Sequence, residues 1–184
     1  MLSTIKDAEI IDQVPDLYAI FRLNVFRRTP GVYFDNVPTD ALPRIDAIDR
    51  VIHEQKAVSP GPVGEVVRPW YMHPHQSDNL VVLHGTRHVD LYTRKHGRIE
   101  NFVVQPNHIE KNGMTIYAGP AMLVWPTAVF HRIISDEEGS ASLNFAVHHP
   151  GIDMRTNFNI YDLDTNSGEF RVVREGFKDQ PGME

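Results

Sequence analysis

From Val66 onward the chain runs as short apolar, β-branched or aromatic stretches: VVRPWYMH, LVVLHG, RHVDLYT, RIENFVV, MTIYA, AMLVWP, FHRIIS and ASLNFAVHH. Turn-forming pairs such as His84-Gly85, His96-Gly97, Asn112-Gly113, Gly119-Pro120 and Pro150-Gly151 punctuate them. No stretch holds a 3.6-residue period long enough for a helix, so the pattern predicts an all-β sandwich or barrel. Earlier in the chain, Ala19, Phe21, Leu23 and Val25 alternate, while Leu17, Phe21 and Val25 also fit helical spacing. We read Tyr18 to Phe26 as a strand. Thr39-Asp40, a capping pair ahead of ALPRIDAIDRVIHEQK, predicts a short helix near residues 40–49. A last strand is expected at Phe170–Arg174, followed by a polar tail. There is no internal repeat and no low-complexity segment, which leaves one domain over residues 1–184. Its core barrel is expected at about 60–150, with an N-terminal extension over 1–60 and a C-terminal strand and tail over 156–184.

Composition removes several function classes. The chain has no cysteine, which excludes a disulfide scaffold, a thiol nucleophile, zinc fingers and iron–sulfur clusters. Its net charge is -6, and no basic run exceeds a pair such as Arg27-Arg28, so nucleic acid is not an expected partner. The start, MLSTIKDAEIIDQVPD, lacks the apolar run of a signal peptide or membrane span. A cytoplasmic protein without a membrane partner is the expectation. No Ser-His-Asp order, nucleophile elbow, phosphate-binding loop or dinucleotide fingerprint is present.

The 10 histidines change this picture. His73-Pro74-His75 follows a strand-like stretch in which residues two apart share a face, so both imidazoles are expected to project with Tyr71. Beyond them come Gln76 and Asp78, a hydrophobic strand, and Gly85, with six residues between Asp78 and Gly85. A second block follows: Gly119, six residues, Pro126, Ala128, two residues, His131. Over Val67 to Ser135, a little over a third of the chain, the two blocks resemble the cupin signatures G-x5-H-x-H-x(3,4)-E-x6-G and G-x5-P-x-G-x2-H-x3-N. Here the acid is Asp78, with only two residues between it and His75; Ala128 stands for a glycine, Ser135 for the asparagine and Val67 for the leading glycine.

The resemblance implies a cupin-type double-stranded β-helix, a jelly-roll barrel, with a metal held by His73, His75 and His131. Asp78 is the favoured fourth ligand and Gln76 the alternative. Imidazole and oxygen donors suit divalent iron, manganese, nickel, cobalt or zinc, and the family points to iron or manganese. Three or four protein ligands leave positions open for chemistry on a small organic substrate. An oxygenase is the first expectation. A metal-dependent isomerase or lyase, a metal-free sugar epimerase or ketoisomerase in which histidine is a base, and a noncatalytic small-ligand binder are the alternatives. Tyr71 is the expected substrate contact and His148, at a strand end with the parity of Asn144 and Ala146, a candidate acid or base. A homodimer is expected, with the apolar segment Tyr18 to Phe26 adding a strand across a partner.

Overall fold

The computed structural model describes residues 8–182; the charged start of the chain and the last two residues of its polar tail lie outside the described residues. The strands are β1 (Ile10–Val14), β2 (Tyr18–Arg22), β3 (Asn24–Thr29), β4 (Val32–Asn36), β5 (Ala47–His53), β6 (Val58–Ser59), β7 (Trp70–Met72) and β8 (Gln76–Tyr92). They continue as β9 (Glu100–Gln105), β10 (His108–Lys111), β11 (Met114–Tyr117), β12 (Ala121–Trp125), β13 (Phe130–His148), β14 (Ile160–Leu163) and β15 (Phe170–Arg174). The all-β expectation holds, and β15 covers the residues predicted for it.

Two long antiparallel strands, β8 and β13, form the spine. β5, β6 and β7 pair along β13, β12 along the start of β8, and β9 along its end, giving a rolled 13-stranded sheet. Both spine strands bend where Ser135↔Arg87 gives way to Ser140↔Gly85 in the register. Gly85 and Gly139 make the bend: each has positive φ, a Cβ on Gly85 would collide with the Gly139 carbonyl, and one on Gly139 with the His53 carbonyl. Only glycine tolerates this approach of three backbones. The inward parity of β8 therefore changes, from Gln76, Asp78, Leu80 and Val82 before the bend to Arg87, Val89 and Leu91 after it.

The predicted helix near 40–49 is not there. A single 3₁₀ turn spans Thr39–Ala41, Pro43 follows, and Ala47–His53 is strand β5. In β5 the exposed Ile48, Arg50 and Ile52 alternate with the more buried Ala47, Asp49, Val51 and His53, a period of two that outweighs the capping pair. The only other helical piece among the described residues is a 3₁₀ turn at Gly176–Asp179.

Tyr18 to Phe26 is extended as expected but divides into β2 and β3. β2 is hydrogen-bonded on both edges, to β1 and β12, so it has no edge to offer a partner. β3 pairs only with β4, in a separate two-stranded hairpin that leaves Phe26 (70%) and Tyr33 (72%) largely exposed. The main apolar core joins Leu17, Ile20, Leu80, Val89, Leu91, Phe102, Ile109 and Leu123, so the nominal N-terminal extension supplies part of the barrel's own core. Among the described residues no helix is long and apolar enough to cross a membrane.

Candidate functional site

A cavity of about 260 Å³ opens inside the barrel, lined from β5, β7, β8, β12 and β13. Strand parity builds it. In β7 the buried Trp70 and Met72 pack outward with Tyr92, Phe130 and Tyr161, which turns Tyr71, and His73 just beyond the strand, to the cavity. In β13, Phe130 joins that outer cluster and the Arg132 guanidinium lies 4.0 Å over the Trp70 ring, which leaves His131 and Ile133 facing in. From β8 come Gln76, Asp78 and Leu80.

His73, Asp78 and His131 meet there, all buried, with one ligand atom of each within 4.8 Å of the others. The hydrogen-bond roles follow from which partners can donate. His73 Nδ1 lies 2.5 Å from the Asn157 carbonyl and His131 Nδ1 3.2 Å from the Val129 carbonyl. A carbonyl only accepts, so each ring donates its Nδ1–H and keeps an unshared pair on Nε2. Asp78 Oδ1 accepts from Gln76 Nε2 at 2.8 Å and from Asn144 Nδ2 at 2.7 Å. Its Oδ2 is buried without a hydrogen-bond partner, 3.6 Å from His73 Nε2. Two ring nitrogens and one carboxylate oxygen thus converge with lone pairs and no donor among them. Buried acceptors in this state are costly unless a cation or a proton joins them.

Around them the rings pack closely in tilted or edge-to-face arrangements: His73 and His131 are 4.8 Å apart between centroids, His73 and Phe158 4.9 Å, and His131 and Trp125 5.2 Å. Burial, reinforced by the neighbouring His73, pushes His131 down to about 4, so its ring is neutral near pH 7. The Tyr71 ring sits 6.2 Å from His73 and 5.9 Å from His131, and burial raises its hydroxyl above the ordinary tyrosine value.

Of the residues expected from sequence, Tyr71, His73, Asp78 and His131 come together. His75 does not. The chain bends at Pro74-His75 before β8 begins, which resets the strand parity; His75 is exposed, with its ring against Gly151. Gln76 takes the inward place instead, but its amide nitrogen is committed to Asp78 and its oxygen accepts from Asn157 Nδ2 at 3.1 Å, so it positions the carboxylate. His148 also falls outside the cavity lining: it is the half-buried last residue of β13, and its backbone N–H donates to Asp46 Oδ2. Sequence reasoning missed Asn157, whose carbonyl orients His73 from a turn far along the chain, and it missed Arg87, His53 and Ser142, which also line the cavity.

No protein-family model matches the chain, and no curated protein does. Solved structures do. dTDP-4-dehydrorhamnose 3,5-epimerase from Sulfolobus tokodaii superposes with a TM-score of 0.56 at 14% identity, over 80% of this chain and 78% of that one. A double mutant of the QdtA 3,4-ketoisomerase from Thermoanaerobacterium thermosaccharolyticum, in complex with TDP, superposes with a TM-score of 0.51 at 13% identity, over 77% and 85% of the two chains. At such identities the likeness is one of fold, and the fold is the jelly-roll barrel of the cupin type that the two sequence blocks implied.

Proposed function

We propose that this chain is a cupin-type enzyme that binds one divalent metal ion through His73 Nε2, His131 Nε2 and Asp78 Oδ2 and acts on a small oxygen-bearing organic molecule, by isomerisation or epimerisation ahead of oxygenation. The observation that carries the reading is the convergence of three buried acceptors with no donor between them. Two imidazoles and one carboxylate form a donor set that suits iron, manganese, cobalt, nickel or zinc and leaves coordination positions open. When bound, the ion would supply a Lewis acid that polarises a substrate oxygen. The preference for isomerase chemistry over the oxygenase expected first rests on the fold neighbours, whose names are those of an epimerase and a ketoisomerase.

The protein's own residues would do the rest. Carbonyl acceptors at Asn157 and Val129 hold both rings with Nε2 forward, and Gln76 with Asn144 fixes the carboxylate plane. Phe158 and Trp125 keep water off the imidazole faces. Tyr71, with its raised pKa, stays protonated and can donate a hydrogen bond to an oxygen on which negative charge develops. Elemental analysis of protein prepared without chelator should find about one divalent ion per chain. A chain that stays metal-free after incubation with iron, manganese, nickel and zinc would overturn the reading.

One observation supports a metal-free variant. At 3.6 Å, Asp78 Oδ2 is close enough to His73 Nε2 for a proton to bridge them after a small movement, which would make the pair an acid/base couple of the sugar epimerase or ketoisomerase type. The same elemental analysis separates the two, since only this variant turns over without metal.

As for assembly, a lone two-stranded hairpin is marginal in water, and the β3–β4 hairpin presents Val25, Phe26, Tyr33 and Phe34 to solvent. A second copy of this chain is the partner we propose for it. Sedimentation should show a dimer that Phe26→Glu with Tyr33→Glu converts to monomer; a wild-type monomer at micromolar concentration would refute it.

A further inference from the structure

Beyond the bend at Gly85 the cavity wall changes character. Arg87 is 1% exposed and lines the cavity, yet among the described residues no carboxylate forms an ion pair with it. Its Nε donates to Ser140 Oγ at 3.0 Å and one terminal nitrogen to the Val51 carbonyl at 3.2 Å, which leaves the other terminal nitrogen with no protein acceptor. Ser140 Oγ lies 2.7 Å from Ser135 Oγ, which lies 3.0 Å from His53 Nδ1. The guanidinium can only donate, so Ser140 accepts from it; each serine hydroxyl can accept twice and donate once, and the chain run from Ser140 through Ser135 to His53 Nδ1 puts the imidazole proton on Nε2, while the reverse run puts it on Nδ1. Ser142, 1% exposed and also on the cavity wall, has a hydroxyl with no partner at all.

One terminal nitrogen of a buried cation and one buried hydroxyl therefore face the cavity without an acceptor, the opposite of the three acceptors of the His73–Asp78–His131 cluster. We propose that Arg87, Ser142 and His53 form an anion subsite that takes the carboxylate of a small organic acid, so that the substrate lies between this subsite and the His73–Asp78–His131 cluster. One positive charge with neutral donors balances a single negative charge, and the planar guanidinium fork matches a carboxylate. A phosphate dianion would leave an excess negative charge in a cavity already lined by the carboxyl groups of Asp49 and Asp78. The volume of about 260 Å³ suits a compact acid. That the acid is a substrate rests on the function proposed above; that the subsite binds anions does not.

The test uses full-length, chelator-treated protein at low ionic strength, where surface binding can be distinguished by its sensitivity to salt. Calorimetric titrations compare lactate, its uncharged analogue lactamide, and inorganic phosphate. Lactate should bind saturably, lactamide about tenfold or more weakly, and Arg87→Gln should bring lactate down to the lactamide level. Ser142→Ala should cost about threefold and leaves the guanidinium in place, so it carries the test if Arg87→Gln fails to fold. Equal affinity for lactate and lactamide, or a lactate affinity unchanged in the folded variants, overturns the subsite. Tighter binding of phosphate than of lactate overturns the carboxylate assignment. Because the protein is metal-free and the chelator is removed before titration, failure of metal binding leaves these results standing, and failure of anion binding leaves the metal proposal standing.

Discussion

One cavity holds two polar clusters of opposite kind. In one cluster His73, Asp78 and His131 offer lone pairs without a donor; in the other a terminal nitrogen of Arg87 and the Ser142 hydroxyl, beside His53, have no acceptor among the described residues. A fold that needed polar groups here only for packing would pair them with each other. Keeping the two sets apart on a shared wall leaves each to be satisfied from outside the chain, and strain of that type is how binding sites stand out from cores.

The comparison breaks most decisively at Asp78. Altering a residue that merely orients a metal ligand costs about 10–100-fold in affinity, so removing a ligand oxygen must cost more. Asp78→Asn keeps the shape and the contact with Asn144 but replaces the anionic acceptor, and metal affinity measured by competition with a chromophoric chelator should fall by more than about a hundredfold. Gln76→Leu removes only the amide that holds Oδ1, and should cost about tenfold. If Gln76→Leu costs as much as Asp78→Asn, the amide is itself a ligand and the assignment of the acceptor cluster fails.

The donor side has its own signature in the pH dependence of stability. Burial, with the Arg87 guanidinium nearby, pushes His53 down to about 4, whereas an unfolded histidine titrates near 6.5. Above pH 6.5 neither state is protonated and the residue contributes no pH dependence. As pH falls from 6.5 toward 4, the unfolded chain takes up a proton that the folded one does not, so stability is lost over that window, by on the order of 3 kcal/mol in full. His131 adds a loss of the same sign in metal-free protein. The difference between wild type and His53→Gln in urea unfolding from pH 7.5 to 4.5 isolates the His53 part. Parallel curves would mean that His53 is not held neutral, and the donor chain from Arg87 would lose its end.

The two clusters differ as much in how far the sequence reveals them. The acceptor side is legible because its residues fall in two spaced blocks that resemble the cupin signatures, and His73, Asp78, His131 and Tyr71 could all be named from them. The donor side is not, because Arg87 faces inward only after Gly85 has shifted the parity of β8, and a parity shift comes from a three-backbone approach that local sequence does not encode. Asn157 is invisible for a related reason: its carbonyl, a group every residue carries, does the work. The fold class and the strand at Phe170–Arg174 follow from periodicity alone, whereas the helix expected near 40–49 shows a capping signal losing to alternation that is satisfied only when β13 lies alongside.

The smallest expected effect bears on the residue that the sequence motif ranks highest. In an unbroken strand His73 and His75 would share a face, and His75→Ala would cost a ligand. The bend at Pro74-His75 instead leaves His75 exposed against Gly151, while Gln76 and Asp78 take the inward positions of β8. The imidazole of His75 therefore lines neither the acceptor cluster nor the cavity, and among the described residues its polar tie to the neighbouring loop is through the backbone, where the His75 carbonyl accepts from the His149 N–H at 2.8 Å. Alanine preserves that bond. His75→Ala should leave metal affinity unchanged within about twofold and stability within about 0.5 kcal/mol, the range of an ordinary surface substitution. A loss of metal comparable to that of His73→Ala would mean that the loop at Pro74 rearranges on binding to bring His75 inward, and the cluster would then be a three-histidine site with Asp78 as its fourth member.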